Sequence, residues 1–388
     1  MVKNSEEIKT IVFFPWLIIP QQIKIGNIIF VPFKVNRNIN DMLNDIKDVM
    51  AKILSSYRNF ENEKVTNCVV ACNKDMNPPW NWANKDNEEL KAAASFLSLA
   101  AFAKNQYFYS LGNYANSSVF ILYFQNFREK PEYVVITLRR RDVPIYKVED
   151  TLFPIPLQCT SCRVNIDIPL AEALGKAYLD DFPLIGRLIP ALQFFNLANT
   201  DSELMREEAE IILMASAFEQ LLGTEGAYKL SCEIGELFKK YGRVSVKEAL
   251  QSRPGIELDS KHPSQNQWFV HRKWAEELYD LRSKFVHGES IKNRQWGWSP
   301  QEHLVFGAFA FPLVVKLCLA SENRYNLTEE DEGHCISVDF LLKEKDWHLK
   351  NKSGNERKWQ KIIVKGNWQK AREKALRIFS QKKNGRND

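Results

Sequence analysis

The sequence predicts an α+β protein: a mixed N-terminal α/β domain, then a helical bundle, then a basic C-terminal extension. Three observations lead there. Short runs rich in Ile, Val and Phe, separated by turn residues, dominate the first 165 residues. Beyond Pro169 the apolar residues recur at three- and four-residue spacing instead. From Lys343 to Asp388 fifteen Lys/Arg stand against five Asp/Glu, in a chain of formal net charge +5, so the residues before Lys343 are net acidic.

The elements follow in order. Ile11 to Pro20 and Ile23 to Phe33 read as strands, with Gly26-Asn27 as a hairpin turn inside the second run. Asp41 to Tyr57 has helical spacing, with Met42, Ile46, Val49, Ile53 and Leu54 on one face. Val65 to Ala71 reads as a strand, Pro78-Pro79-Trp80 as a turn and Asn87 to Ala103 as a helix. Val119 to Phe127 and Tyr133 to Arg139 read as strands, and the domain closes near residue 165, after Pro154 and Pro156. Helices are then expected over Phe182 to Ala198, Ser202 to Leu222 and Glu225 to Lys240. Two more are expected over Trp268 to His287 and Pro300 to Ala320, the last kinked at Pro312. The bundle spans residues 180–322 and the basic extension 323–388.

Composition excludes several classes. With 45% hydrophobic and 26% charged residues, 388 residues build a core of two or three domains and are not a disordered or collagen-like chain. Ile11 to Pro20 and Leu304 to Val315 both read as too short or too interrupted to span a bilayer. The first residues are acidic where a leader would be basic, so a cytoplasmic location without membrane contact is the expectation. Seven cysteines, an odd and sparse count, imply reduced thiols. Cys68/Cys72 and Cys159/Cys162 form two close pairs that a structural zinc would fit if the fold joined them, the alternative being ordinary buried or surface thiols.

No phosphate-binding, dinucleotide-binding, zinc-protease or nucleophile-elbow motif occurs. All six histidines fall in the last third of the chain. The informative segment is Leu278-Tyr279-Asp280-Leu281-Arg282-Ser283-Lys284-Phe285-Val286-His287-Gly288, which contains an Arg-x4-His spacing. On a helix Trp268, Trp274, Leu278, Leu281 and Phe285 share the face expected to pack inward, with Arg282 at its shoulder. His287 lies about 140° further round, and Gly288 makes it a capping residue. By itself the spacing equally fits a solvent-facing Arg and a capping His favoured by the helix dipole.

In context the segment resembles the HEPN superfamily, in its Apea-like branch, over residues 180–322. The resemblance rests on Ala217-Phe218-Glu219-Gln220-Leu221-Leu222 on one apolar helix, a polar connection, and Arg282-Ser283-Lys284-Phe285-Val286-His287-Gly288 near the end of a later helix. A final apolar helix and an upstream domain opening with strands complete it. Ser283 stands where Asn, Asp or His is frequent in the superfamily.

The resemblance implies a metal- and cofactor-independent endoribonuclease that works as a homodimer or higher even oligomer, in anti-phage defence or toxin-like growth arrest, responding to a phage-derived trigger. The residue types suit the chemistry: His287 as general acid or base near neutral pH, Arg282 as clamp on the phosphorane. Products would be a 2′,3′-cyclic phosphate and a 5′-hydroxyl, with DNA uncut for want of the 2′-hydroxyl. Glu219, a carboxylate on an apolar stretch, would orient Arg282 or His287, or else serve as a structural ion-pair partner. Ser283 and Lys284 are candidate phosphate contacts. The competing class is a non-catalytic RNA-binding or sensing module. In the extension, Trp347, Trp359, Trp368 and Phe379 lie among the cations. Trp368, Ala371, Ala375 and Ile378 or Phe379 share a helical side expected to dock onto the bundle, to contact RNA, or both.

Overall fold

The computed structural model describes residues 9–35, 41–59, 61–82, 88–104, 117–127, 134–137, 146–148, 162–200, 205–258, 263–291, 295–348 and 358–384. The chain is α+β and divides into two compact units. The first comprises Met1–Gln106, Asn116–Ile185 and Thr200–Ser202; the second comprises Tyr107–Ala115, Gly186–Asn199 and Glu203–Asp388.

The first unit is built on strands β1 (Lys9–Phe14), β2 (Leu17–Ile18), β3 (Ile23–Ile25), β4 (Ile28–Lys34), β5 (Asn67–Asn73), β6 (Tyr123–Phe127), β7 (Val134–Thr137), β8 (Tyr146–Val148) and β9 (Cys162–Arg163). Seven of them form an antiparallel sheet in the order β3-β4-β5-β1-β6-β7-β8, while β2 pairs parallel with β9. The central strand β1 is buried on both faces, so it reads as an unbroken apolar run rather than an alternation. Gly26 supplies the positive φ (+61°) for the two-residue turn that sets Ile25 opposite Ile28. The strand expected over Ile11 to Pro20 is instead two strands, parted at Pro15, which has no N–H to give a ladder.

Helix α1 (Lys47–Leu54) is preceded by a 3-10 helix over Asp41–Ile46. That tighter winding places Leu43 and Ile46, three residues apart, under cover, and Met42 and Val49 are only half-buried. Helix α2 (Glu88–Phe102) packs on β3 and β4, and α3 (Ile168–Leu179), capped by Asp167, packs on β3 and α2. The first unit therefore runs past residue 165, where its boundary was expected. The first half of the strand expected from Val119 is a 3-10 turn, Ser117–Phe120.

The second unit holds α4 (Pro183–Ala198) from Gly186 onward, α5 (Glu207–Leu222), α6 (Ala227–Phe238), α7 (Val246–Ala249), α8 (Val270–Val286), α9 (Pro300–Ser321), α10 (Glu329–Lys343) and α11 (Lys358–Asn384). Phe195 stacks on Phe311 at 4.5 Å between ring centroids, Phe218 meets both Phe311 and Trp274, and Trp274 meets Phe306. These rings form the centre of the unit. By length and composition α9 is apolar enough to cross a bilayer, contrary to the sequence reading, but 83% of its most apolar window is buried inside the protein. It continues as one helix through Pro312.

Residues 323–388, read as an extension, fall within this second unit: α11 packs along α10, with Trp347 and Trp359 fully buried. The crossing is close because Gly333 and Gly366 meet there. A Cβ on Gly366 would collide with Ser337 Oγ and the Gly333 carbonyl. The side chains buried from α11 are Trp359, Ile362 and Ile363, whereas Trp368 is 65% exposed and Ala371 and Ala375 face solvent. The side read from the sequence as a docking face is thus the outer one. The side chains of Ile378 and Phe379 lie outside the described residues.

Candidate active site at the end of α8

Helix α8 is pinned along its buried length by two carboxylates. His271 Nδ1 donates to Asp339 Oδ1 at 2.7 Å, and Asp339 Oδ2 accepts from the backbone N–H groups of Arg243 (2.6 Å) and Val244 (3.0 Å). One and a half turns on, Glu277 accepts from the N–H groups of Gly297 (3.1 Å) and Trp298 (2.9 Å), with His303 Nε2 at 3.3 Å. All four side chains are 1% exposed or less, so they brace the helix and are closed to a macromolecular substrate. The rest of the inward face is Trp274, Leu278 and Leu281. Trp268 and Phe285, expected on that face, are only half-buried. Trp268 precedes the helix and is covered by Arg272, whose guanidinium carbon lies 3.6 Å from its ring centroid.

The last turn carries the Arg-x4-His pair. Gly288, at φ +68°, ends the helix: its N–H donates to Phe285 O (3.2 Å), and the Glu289 N–H donates to Lys284 O (2.9 Å). That pair of bonds is the Schellman closure, and it makes His287 the capping residue. His287 is exposed, and its ring makes no hydrogen bond among the described residues. Val286 beside it is half exposed.

Arg282 leans the other way, toward α5. Its Nη2 lies 3.7 Å from Glu219 Oε2, and its guanidinium carbon is 5.3 Å from the Tyr279 ring centroid. The Arg282 Nε is buried without a hydrogen-bond partner among the described residues. Burial pushes the Glu219 carboxyl up. The Arg282 charge and the Gly226 N–H pull it back, nearby Glu225 pushes up again, and the carboxyl ends above its ordinary value. Gly223, at φ +64°, ends α5 one turn later, where a side chain would run into Arg187.

The structure therefore brings together Arg282 and Glu219 and leaves His287 open at the end of the same helix. Ser283 is half-buried there, and Lys284 is paired with Glu289 at 2.7 Å. Tyr279, the Gly226 N–H and Arg187 were missed in the sequence. Tyr279 was legible as the residue one turn before Ser283, but the other two depend on how α5 closes. An open groove of about 710 Å³ lined by Leu250, Pro254 and Ile256 contains none of these residues.

The zinc option does not survive for Cys68 and Cys72. Both are buried in β5, four residues apart on an extended strand, which separates them by about 13 Å, too far to share one ion. Burial pushes both thiols up, Cys72 to about 12, opposite to what a thiolate ligand needs. Cys162 is in β9, half-buried, and Cys159 lies outside the described residues. Among the described residues no group of three or more His, Cys, Asp or Glu has the geometry of a metal site.

No family model, curated protein or solved structure matches the chain.

Proposed function

We propose that the second unit is a HEPN-type endoribonuclease that cleaves RNA by attack of its own 2′-hydroxyl. His287 moves the proton and Arg282 neutralises the phosphorane. The observation that carries the reading is the last turn of α8: a guanidinium held beside Glu219 and an open imidazole five residues later, on a helix braced by two buried carboxylates. An exposed imidazole supplies acid–base chemistry near neutral pH, and a planar guanidinium bridges two phosphate oxygens. Glu219 positions Arg282. Together these groups provide both charge neutralisation and proton transfer without a metal.

One Arg and one His are sparse equipment for phosphoryl transfer, so two copies meeting across a twofold axis complete the site. The biological role in this reading is anti-phage defence or toxin-like arrest in the cytoplasm, with the first unit receiving a phage-derived trigger.

The test is incubation of the purified protein with total cellular RNA, with and without EDTA, followed by mapping of the cut ends. The expected result is metal-independent cleavage leaving 2′,3′-cyclic phosphates, by a species near twice 45.1 kDa or a higher even multiple. Activity that EDTA abolishes and Mg²⁺ restores would overturn the mechanism. One observation favours the second reading, a non-catalytic RNA-binding or sensing module: the His287 ring makes no orienting hydrogen bond among the described residues, and its electrostatic neighbour is the exposed Glu289 carboxylate. Binding without cleavage under these conditions selects it.

A further inference from the structure

Helix α11 carries nine cations and one acid, and four of the cations with described side chains fall into two sets. On the side toward α10 they are neutralised: Lys370 pairs with Glu332 and Lys374 with Glu329. Lys365 and Arg372 are exposed and have no carboxylate partner among the described residues; the Lys365 ammonium lies 4.5 Å from the ring centroid of Phe340 on α10, and Arg372 is on the outer side. Between them stands Trp368, 65% exposed, with the Arg372 guanidinium carbon 5.8 Å from its ring centroid. Lys365, Trp368 and Arg372 lie at i, i+3 and i+7, so they form one stripe along about 10 Å of helix.

A large ring held in water between two unneutralised cations fits an anionic ligand with flat, stackable faces. We propose that this stripe binds single-stranded RNA, with a base stacked on Trp368 and flanking phosphates on Lys365 and Arg372. The inference deepens the ribonuclease reading and rests on it for the choice of RNA. Trp359, Ile362 and Ile363 are buried against the protein, but Val364 (62%) and Leu376 (59%) are exposed, so an anionic membrane surface is the competing occupant that the vesicle arm of the test must separate. A duplex is disfavoured because its bases are stacked on one another and offer Trp368 no free face.

The test is fluorescence anisotropy of the full-length protein with a labelled 2′-O-methyl oligouridine of about sixteen nucleotides. This probe has no free 2′-hydroxyl, so binding is read apart from cleavage. Trp368→Ala is expected to weaken binding about tenfold. The double variant Lys365→Gln/Arg372→Gln is expected to flatten the log–log salt slope by about 1.4, two phosphates' worth. Lys374→Gln, on the neutralised side, should stay within about twofold of the parent. All these side chains are exposed, and thermal unfolding checks that the variants are folded.

Parent-like binding by both the Trp368 and the double variant overturns the proposal. So does Trp368-dependent sedimentation with phosphatidylserine vesicles in the absence of oligonucleotide binding, or Trp368-independent binding of a duplex at equal affinity. If the oligonucleotide binds through the stripe but total RNA is not cut, the ribonuclease reading fails alone. If RNA is cut through Arg282 and His287 while binding ignores the stripe, this inference fails alone.

Discussion

Arg282 Nη2 lies 3.7 Å from Glu219 Oε2, within ion-pair range but beyond hydrogen-bond distance, so the carboxylate steers the guanidinium without occupying its N–H groups. The Nη donors stay available to an incoming phosphate, whereas the Nε is buried.

The same pair sets a pH dependence. Burial holds the Glu219 carboxyl above its ordinary value in the folded protein. Between the unfolded and folded pKa values the native state therefore binds more protons, so this group's contribution to stability falls as pH rises through that window. Glu219→Gln removes the titration. Its unfolding free energy should decline less than the parent's between about pH 4 and pH 7. Cleavage should also fall, because Arg282 loses its guide, and Glu219→Asp should restore part of it. Unfolding curves across pH and initial rates check both. A variant with unchanged rate would remove Glu219 from the site.

Arg282→Ala and His287→Ala are each expected to reduce RNA cleavage by at least about a hundredfold. The structure separates their effects on stability. His287 is exposed and its cap rests on backbone bonds to Gly288 and Glu289, so its loss should change unfolding free energy by no more than about 0.5 kcal/mol. Arg282 is 28% exposed and paired, and its removal leaves Glu219 half-desolvated; a loss of about 1 kcal/mol is expected. If both variants cut RNA at the parent rate, the Arg-x4-His assignment is wrong.

What the sequence made legible was what short-range physics decides. Gly26-Asn27 marked a hairpin because only a residue tolerant of positive φ closes a two-residue turn there. Gly288 marked the end of α8 in the same way. The orientation of Arg282 toward Glu219 was open to inference because a carboxylate on an apolar helix needs a partner. The bracing of α8 was not legible. His271 and Asp339 are 68 residues apart and nothing local announces the pair. Likewise Trp368 and Ile362 both fall on plausible faces of an amphipathic α11. The side that docks is chosen by the glycines at 333 and 366, whose proximity only the fold reveals. Over Asp41–Ile46 the error lay in the helical period itself.

Acid should act on a second carboxylate with the opposite sign. Asp331 is 2% exposed, and burial alone would raise its carboxyl. The Lys316 ammonium and the Thr328 N–H and hydroxyl outweigh that and hold it below the usual carboxylate range. A depressed folded value contributes stability that is present above the unfolded pKa and lost as pH falls through the folded one. Asp331→Asn removes the carboxylate charge held against the buried Lys316 ammonium, and should cost about 3 kcal/mol at neutral pH. The variant should also lose less than the parent on acidification from pH 5 to pH 3, as denaturant unfolding at each pH would show. A cost below about 1 kcal/mol would mean that the pair is solvated.

The final prediction concerns the crossing of α10 and α11. Replacing Gly with Ala in a helix interior normally gains about 1 kcal/mol of helix propensity, so Gly366→Ala is favourable on local grounds. Against it stands the partner helix: the new methyl would meet Ser337 Oγ, which donates to Gly333 O at 2.8 Å, and the Gly333 carbonyl itself. A hydroxyl can rotate, but a backbone carbonyl inside a helix cannot retreat without moving α10. Overpacking of this kind costs about 1–3 kcal/mol and exceeds the propensity gain. Gly366→Ala should therefore lower the unfolding midpoint. Adding Ser337→Ala removes one of the two obstacles and should recover part of the loss, a non-additivity that a double-mutant cycle reads directly. A stabilised Gly366→Ala protein would show that propensity wins and that the two helices are not held this close. Because Trp359, Ile362 and Ile363 seat α11 through the same crossing, the single variant should also raise proteolytic cleavage within α11.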